Sequence, residues 1–430
     1  MAVRKDAATA PWESVSPHEQ LFVLVTGANS GIGLGLAQSL IDDFLRTRSL
    51  RSHLIVLPTT RSRSKSLETV RQLRAYATTA AQKCTRSAVS SSWRDAVARI
   101  HILSLSFDLC DLRGLRAVAR ALRLGTVSNP PGLEGEYLVD VRIPRLDSII
   151  CNAAYGGWSG LSYPMATWSF LTRGLVQTAT WPDFKHALPT GILNERAVYN
   201  YPNEPLLGEV FCACVFGHYM LAHQLLPLLS RSTEDVERDG LAPGRIIWSS
   251  SLEAIERVFS PDDLQCLEGA GAYESAKRLT DLLSLTHTLP AAQRYSTQFL
   301  TMDDAHCDDE EEEQGAVHAE TDNRKKEAAA VVVVRPRMYL SHPGIVASTL
   351  FPLPAFLFWL YRLVLVLAVG RRMGIEDATA EHIARFEEQG AACWRQLELL
   401  RTRWEKLIDD DEGDDDDDDD EEEKQQRGVQ

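Results

Sequence analysis

The segment LFVLVTGANSGIG (residues 21–33) changes character at its midpoint. Leu21 to Val25 is an unbroken apolar run and reads as a strand. Gly27, Gly31 and Gly33 then follow within a few residues, with Asn29, Ser30 and Ile32 between them. Leu34 to Phe44 continues with helical spacing of its apolar residues. Glycine is needed where the backbone turns sharply and comes close to a pyrophosphate. The helix that follows offers free N–H groups and a positive dipole end to that anion. At the first strand–helix junction of a chain, this pattern marks a dinucleotide-binding unit.

Working outward, five more strands are predicted at 53–58, 100–107, 146–153, 244–251 and 331–344. Helices are predicted over about 64–83, 111–124, 206–230, 271–289 and 376–406, with a Ser-rich loop at 84–97 and irregular chain at 155–205. Strands alternating with helices imply right-handed βαβ units and a parallel sheet. The expected class is α/β, a Rossmann-type doubly wound parallel sheet. It forms a single domain over 20–408, between a flexible N-terminus (1–19) and an acidic tail (409–430).

The formal charge of −15 over 430 residues is unevenly placed. Residues 303–313 carry eight acids and residues 409–423 carry fourteen, with no Lys or Arg in either window. Setting those 22 acids aside turns −15 into +7. The two runs, one inside an insert at about 301–329 and one in the tail, are expected to be disordered. The body is mildly basic, with no basic stretch dense enough for nucleic acid. The eight cysteines lack CxxC spacing, so no metal site is expected and the thiols read as reduced. No secretory signal is visible. Ala355 to Val369 (AFLFWLYRLVLVLAV) is short for a membrane span and carries Arg362. With its flanking prolines and arginines, the stretch 352–370 reads as a membrane-associating segment that dips into the interface. A buried core helix is the competing reading.

Three features carry chemistry. The second strand ends in TTRSR, with Arg61 and Arg63 and no acid; an acid would suit the ribose hydroxyl of NAD, a base the 2′-phosphate of NADPH. Tyr273 and Lys277 are four apart and share a helical face. An ammonium nearby is expected to lower the tyrosine's pKa, so the pair can exchange a proton. Ser251, at the end of the fifth strand, can hydrogen-bond a carbonyl oxygen. Each feature alone is common. Their order in one chain, with CNAA on strand four (residues 151–154) and HPGI after strand six (residues 342–345), is not.

The chain therefore resembles the short-chain dehydrogenase/reductase family. The stretches ACVFGHYM (213–220), IIWSSSL (246–252), AYESAKRLTDLL (272–283) and PGIVASTL (343–350) are similar to the fungal 3-keto-steroid reductases of sterol C-4 demethylation. The resemblance covers about residues 20–405. It implies Tyr273 as proton donor, Lys277 as its partner and ribose ligand, and Ser251 on the substrate carbonyl. Gly27, Asn29, Ser30, Gly31, Ile32 and Gly33 would hold the pyrophosphate and Arg61 the 2′-phosphate of NADPH. Asp108 would approach the adenine and Asn152 the ribose. Pro343, Gly344 and Ser348 or Thr349 would lie at the nicotinamide. The implied substrate is a sterol, reduced from 3-ketone to 3β-alcohol in ergosterol biosynthesis. The implied partners are other enzymes of the C-4 demethylation complex. The implied place is the cytosolic face of the endoplasmic reticulum membrane, or a lipid droplet. The chain departs from the family at Cys214, where an Asn usually bends the helix and holds a relay water. That departure leaves open a non-catalytic scaffold, and a reductase of another lipid carbonyl is a further alternative.

Overall fold

Each predicted strand contributes a segment to one parallel sheet. The computed structural model describes residues 10–85, 92–133, 138–180, 184–187, 190–194, 204–302, 333–343 and 380–427. In chain order the elements are β1 (Gln20–Val25), α1 (Gly31–Thr47), β2 (His53–Thr60), α2 (Arg63–Thr85), α3 (Trp93–Val97), β3 (Ile100–Ile102), β4 (Leu105–Ser106), α4 (Leu112–Leu124) and β5 (Ser148–Cys151). There follow β6 (Trp158–Leu161), α5 (Tyr163–Thr180), β7 (Lys185–Ala187), α6 (Glu209–Phe211), α7 (Gly217–Gln224), α8 (Leu226–Leu229), β8 (Arg231–Ser232), α9 (Thr233–Glu237) and β9 (Arg245–Ser249). The last are α10 (Ala272–Thr286), α11 (Pro290–Phe299), β10 (Val333–Val334), β11 (Arg337–Ser341) and α12 (Ala380–Arg427).

The sheet runs β11-β9-β5-β1-β2-β3, with β4 also on β2, and its pairs are parallel. This is the doubly wound order, with the chain reversing direction between β1 and β5. Both faces are covered, which is why Phe22 to Val25 and Leu54 to Leu57 are buried without alternation. One layer is α1 and α2, placing Ala37, Ile41, Phe44, Val70 and Leu73 against Leu54 and Val56. On the other face, residues of α4, α7, α10 and α12 share one core with Phe22, Leu24 and Ile55.

Several boundaries differ from the sequence expectation, each for a local reason. The third strand splits because Pro58 in β2 has no N–H for the ladder; the Ser104 hydroxyl instead donates to the Pro58 carbonyl at 3.2 Å. Residues 84–97 include the short helix α3, capped by Ser92. The 155–205 stretch holds a ribbon, β6 antiparallel to β7, with α5 between the strands. The 206–230 helix is broken twice: Cys212–Phe216 form a π-helical turn, and Pro227 opens α8. Pro336 divides the sixth strand, and β10 leaves the sheet to pair antiparallel with β8.

The two ends also fold down further than expected. Trp12 is buried against Phe22 and His101, so residues 10–19 are packed where 1–19 reads as flexible. The backbone of α12 stays helical to Arg427, although 409–430 reads as a disordered tail. Its entry into the acidic run is neutralised: Asp409 pairs with Arg116 and Asp411 with Arg113, both on α4. Residues 303–332 and 344–379 lie outside the described residues, and with them most of the acidic insert and all of the apolar segment 352–370. Among the described residues no helix is long and apolar enough to cross a membrane. Nor, among them, do His, Cys, Asp and Glu form a cluster able to hold a metal ion.

α12 is held by a buried polar network. Arg401 donates to Glu398 Oε2 at 2.8 Å, pairs with Glu405 and lies 3.0 Å from His223 Nε2. The Tyr219 hydroxyl donates to Glu398 Oε1 at 2.5 Å. Burial, then the Arg401 charge, lowers the His223 pKa to about 3, so its imidazole is neutral and accepts from the guanidinium. Arg401→Met leaves two carboxylates buried without their cation. We expect a loss of about 3–5 kcal/mol in urea-unfolding free energy. Asp411→Asn, at a pair with 35% and 32% side-chain exposure, leaves Arg113 its partner Glu204 and should cost about 0–1 kcal/mol. Equal effects would show that the internal network does not anchor the helix.

Candidate active site

The site forms where β1 and β5 end side by side and the chain crosses over. Thr26 terminates β1. Its hydroxyl accepts the backbone N–H groups of Asn152 at 2.8 Å and Ala153 at 3.0 Å. It also lies 2.7 Å from His218 Nε2. His218 is buried and uncharged, its pKa lowered to about 3 by burial and by Lys277. Its Nδ1–H donates to the Cys214 carbonyl at 3.3 Å, so Nε2 takes the Thr26 hydroxyl proton. One threonine thus ties together the glycine loop, the CNAA turn and the bent helix.

The glycines are required by space as well as by conformation. Gly27 has φ +64°, and a Cβ on it would lie 2.9 Å from Ala153 Cα. A Cβ on Gly33 would lie 2.6 Å from the Asn152 Nδ2, which donates to the Thr26 carbonyl at 3.0 Å. The turn is therefore pressed onto β5 and leaves the N-terminus of α1 facing open space. That space is a cleft of about 520 Å³. Its walls include Gly27, Asn29, Ser30, Gly31, Ile32, Gly33, Arg61, Asp108, Asn152, Tyr273, Lys277 and Pro343. The cradle, the helix N-terminus and the volume of the cleft fit a dinucleotide.

Ser251 acts on Tyr273, favouring its ionised form, and its hydroxyl accepts the Glu253 backbone N–H at 3.2 Å. Gly344 and Ser348 lie outside the described residues. Arg63 turns away and donates to the Pro131 carbonyl at 2.8 Å. Lys65, four residues after Arg61 on the first turn of α2, lines the cleft in its place. Sequence reading missed Lys65, although the i, i+4 spacing with Arg61 was a usable signal. It also missed Trp158 and Tyr155, which sit in the aromatic stretch without a period, and Ser250, whose hydroxyl bonds Asp281 on α10.

On α10, Tyr273, Lys277 and Asp281 recur every four residues and face β9. Lys277 Nζ donates to the Ser249 carbonyl at 2.8 Å and lies 5.6 Å from the Tyr273 ring centre. Burial lowers the Lys277 pKa, with Cys214, Asp281 and Cys151 opposing. Burial also raises the Tyr273 pKa, the Ser251 hydrogen bond acting against it. The expectation that the ammonium lowers the tyrosine's pKa is thus corrected: burial is the larger effect, and the phenol keeps its proton. A protonated phenol beside a serine hydroxyl is a general acid aimed at a carbonyl oxygen.

Cys214 lies in the π-helical turn, so this helix bends without an asparagine. Its Sγ meets both polar groups of Tyr155, accepting from the N–H at 3.4 Å and donating to the C=O at 3.4 Å. Burial raises its pKa and keeps it a thiol.

No protein-family model matches the chain. A 3-keto-steroid reductase of Gibberella zeae is 48% identical over 489 residues, covering 93% of this chain and 98% of the relative. A 3-keto-steroid reductase of Aspergillus fumigatus is 32% identical over 476 residues, covering 91% and 95%. Among solved structures, a short-chain dehydrogenase of Sphingobium yanoikuyae in complex with NADPH is 15% identical, covers 63% of this chain and 64% of that one, and has a TM-score of 0.29. The chain belongs to the 3-keto-steroid reductase family and is an oxidoreductase.

Cys214→Asn tests the departure at the helix bend. A carboxamide offers both a donor NH2 and an acceptor oxygen and can serve both groups of Tyr155. The variant should melt within about 4 °C of wild type and change kcat less than tenfold. A larger fall in either would show that the pocket has been rebuilt around sulfur.

Proposed function

We propose that this member of the 3-keto-steroid reductase family uses NADPH to reduce the 3-keto group of a sterol intermediate to the 3β-alcohol. The step belongs to the C-4 demethylation of ergosterol biosynthesis, working beside the other enzymes of that sequence. The place is the cytosolic face of the endoplasmic reticulum membrane, with the apolar segment at 352–370 touching the bilayer. The observation that carries the reading is a cleft lined by a proton-bearing Tyr273 and by Lys277, with Ser251 next to the tyrosine, and lined as well by two bases, Arg61 and Lys65, past the end of β2 where no acid follows. The relatives' names support the substrate class.

Gly27, Gly31 and Gly33 with the α1 N-terminus would hold the pyrophosphate, and Arg61 with Lys65 the 2′-phosphate. When bound there, NADPH supplies the hydride for the carbonyl carbon. Ser251 and Tyr273 donate hydrogen bonds to the carbonyl oxygen and stabilise the charge that develops on it. Tyr273 then transfers its proton to that oxygen, giving the alcohol. Lys277, held by the Ser249 carbonyl, compensates the phenolate that remains until a proton returns.

Tyr273→Phe keeps the ring and removes only the proton. Reduction of a 3-keto sterol by membranes containing the protein should fall at least ~10²-fold, while the Kd for NADPH holds. Retention of more than about a tenth of the rate would remove Tyr273 from the chemistry.

Arg61→Ala and Lys65→Ala should each weaken NADPH binding more than NADH binding, and the double variant should bring the two affinities within about threefold, since each base is worth on the order of 1 kcal/mol to a phosphate. Equal losses for both cofactors would move the 2′-phosphate site elsewhere.

A further inference from the structure

A buried charge cluster stands behind one wall of the cleft, assembled from three separate segments. Lys185 of β7 places its Nζ 2.5 Å from Glu253 Oε1 and 2.9 Å from Glu274 Oε1. The side chains are 4% exposed for the lysine and 11% for each acid. The same ammonium lies 4.2 Å from the ring centre of Trp158. Trp158 lines the cleft, and its ring meets Tyr273 edge-on at 5.2 Å and 65°. Gly156 closes another side: a Cβ there would come within 2.6 Å of the indole.

Stability alone is a poor reason for this cluster. Two carboxylates on one cation leave a negative charge in a dry place, and desolvating three ions costs more than packing apolar side chains there. What the cation adds is a face-on contact with an indole, which is strong where water is excluded. The contact falls on a ring that borders the catalytic phenol. Held by a cation on its face, by Tyr273 near its edge and by the backbone at Gly156, that ring cannot swing.

We propose that Lys185 is a positioning residue for the substrate, acting through Trp158: it clamps the indole as a flat wall beside Tyr273, on which the rings of a rigid fused-ring ketone are laid. This rests on the steroid-type ketone of the proposed function. Glu253 and Glu274 orient the ammonium, and Glu274 adjoins Tyr273 in sequence, so wall and acid move as one piece. A small aliphatic ketone, needing only to reach Tyr273 and Ser251, gains little from the wall.

The test is a double-mutant cycle on the full-length protein with NADPH present, reading the Kd of a fused-ring 3-ketone and, where turnover occurs, KM and kcat. Lys185→Met should raise Kd and KM about tenfold, the effect of releasing one desolvated cation–π contact. The KM for a small aliphatic ketone should stay within about threefold, since such a ketone makes little use of the wall. Lys185→Arg should restore binding, because guanidinium stacks on rings and pairs with carboxylates. Trp158→Ala should weaken binding alike, and Lys185→Met should add nothing in that background. If Lys185→Met does not fold, the cycle is run with Lys185→Met/Glu253→Gln, which removes one buried negative charge. An equal Lys185→Met effect with and without Trp158, an unchanged Kd, or no binding of the fused-ring ketone to wild type would overturn the proposal. Binding without turnover would instead count against the proposed function and leave this inference standing.

Discussion

The hydroxyl of Thr26 carries more of this molecule than its size suggests. It accepts hydrogen bonds from two backbone N–H groups at the end of β5 and donates one to Nε2 of a buried, neutral His218. Without it, three polar groups would be buried unsatisfied where β1, β5 and the bent helix meet, at about 1–3 kcal/mol each. Because those elements are locked at one point, the glycine turn is pressed against β5 and the cleft keeps its width. The bend that lets His218 reach back to the Cys214 carbonyl is the same one that sets Cys214 against Tyr155.

Burial then sets the chemistry. Tyr273 and Lys277 sit on a helix whose inward face is almost wholly covered, so each group is pushed toward its neutral form. For the tyrosine this is the useful direction, since a reduction needs a phenol with a proton to give. For the lysine it means that the ammonium lacks bulk water and relies on the Ser249 carbonyl and on the sulfur and carboxylate groups near it. A phenolate formed in such a place is a better partner for that ammonium than any group the resting site offers.

Charge elsewhere in the chain follows the same economy of position. Of the acids that dominate the composition, Asp409 and Asp411 meet arginines of α4. Several buried ions among the described residues come in groups: Asp147 between Arg145 and Arg231, Glu398 with Arg401, and Lys185 with two acids. The first and last join segments far apart in sequence, the second ties α12 to Tyr219 and His223 of α7, and the last braces the wall of the cleft.

Local pattern was enough to recognise the doubly wound sheet, the glycine turn and the Tyr273–Lys277 face, because each depends on short-range periodicity or on a residue type that only one backbone geometry accepts. Pattern also placed Arg61 and Asp108, since both sit at strand ends that the fold brings to one edge. Tertiary contact decided the rest. Whether Tyr273 holds its proton depends on how much chain covers it. Arg63 turned away because the Pro131 carbonyl, far along the chain, was there to receive it. The 155–187 ribbon has no period to read, so nothing before folding could show that Trp158 would stand beside Tyr273 with Lys185 on its face. Such placements depend on long-range packing, and packing is a property of the whole chain at once.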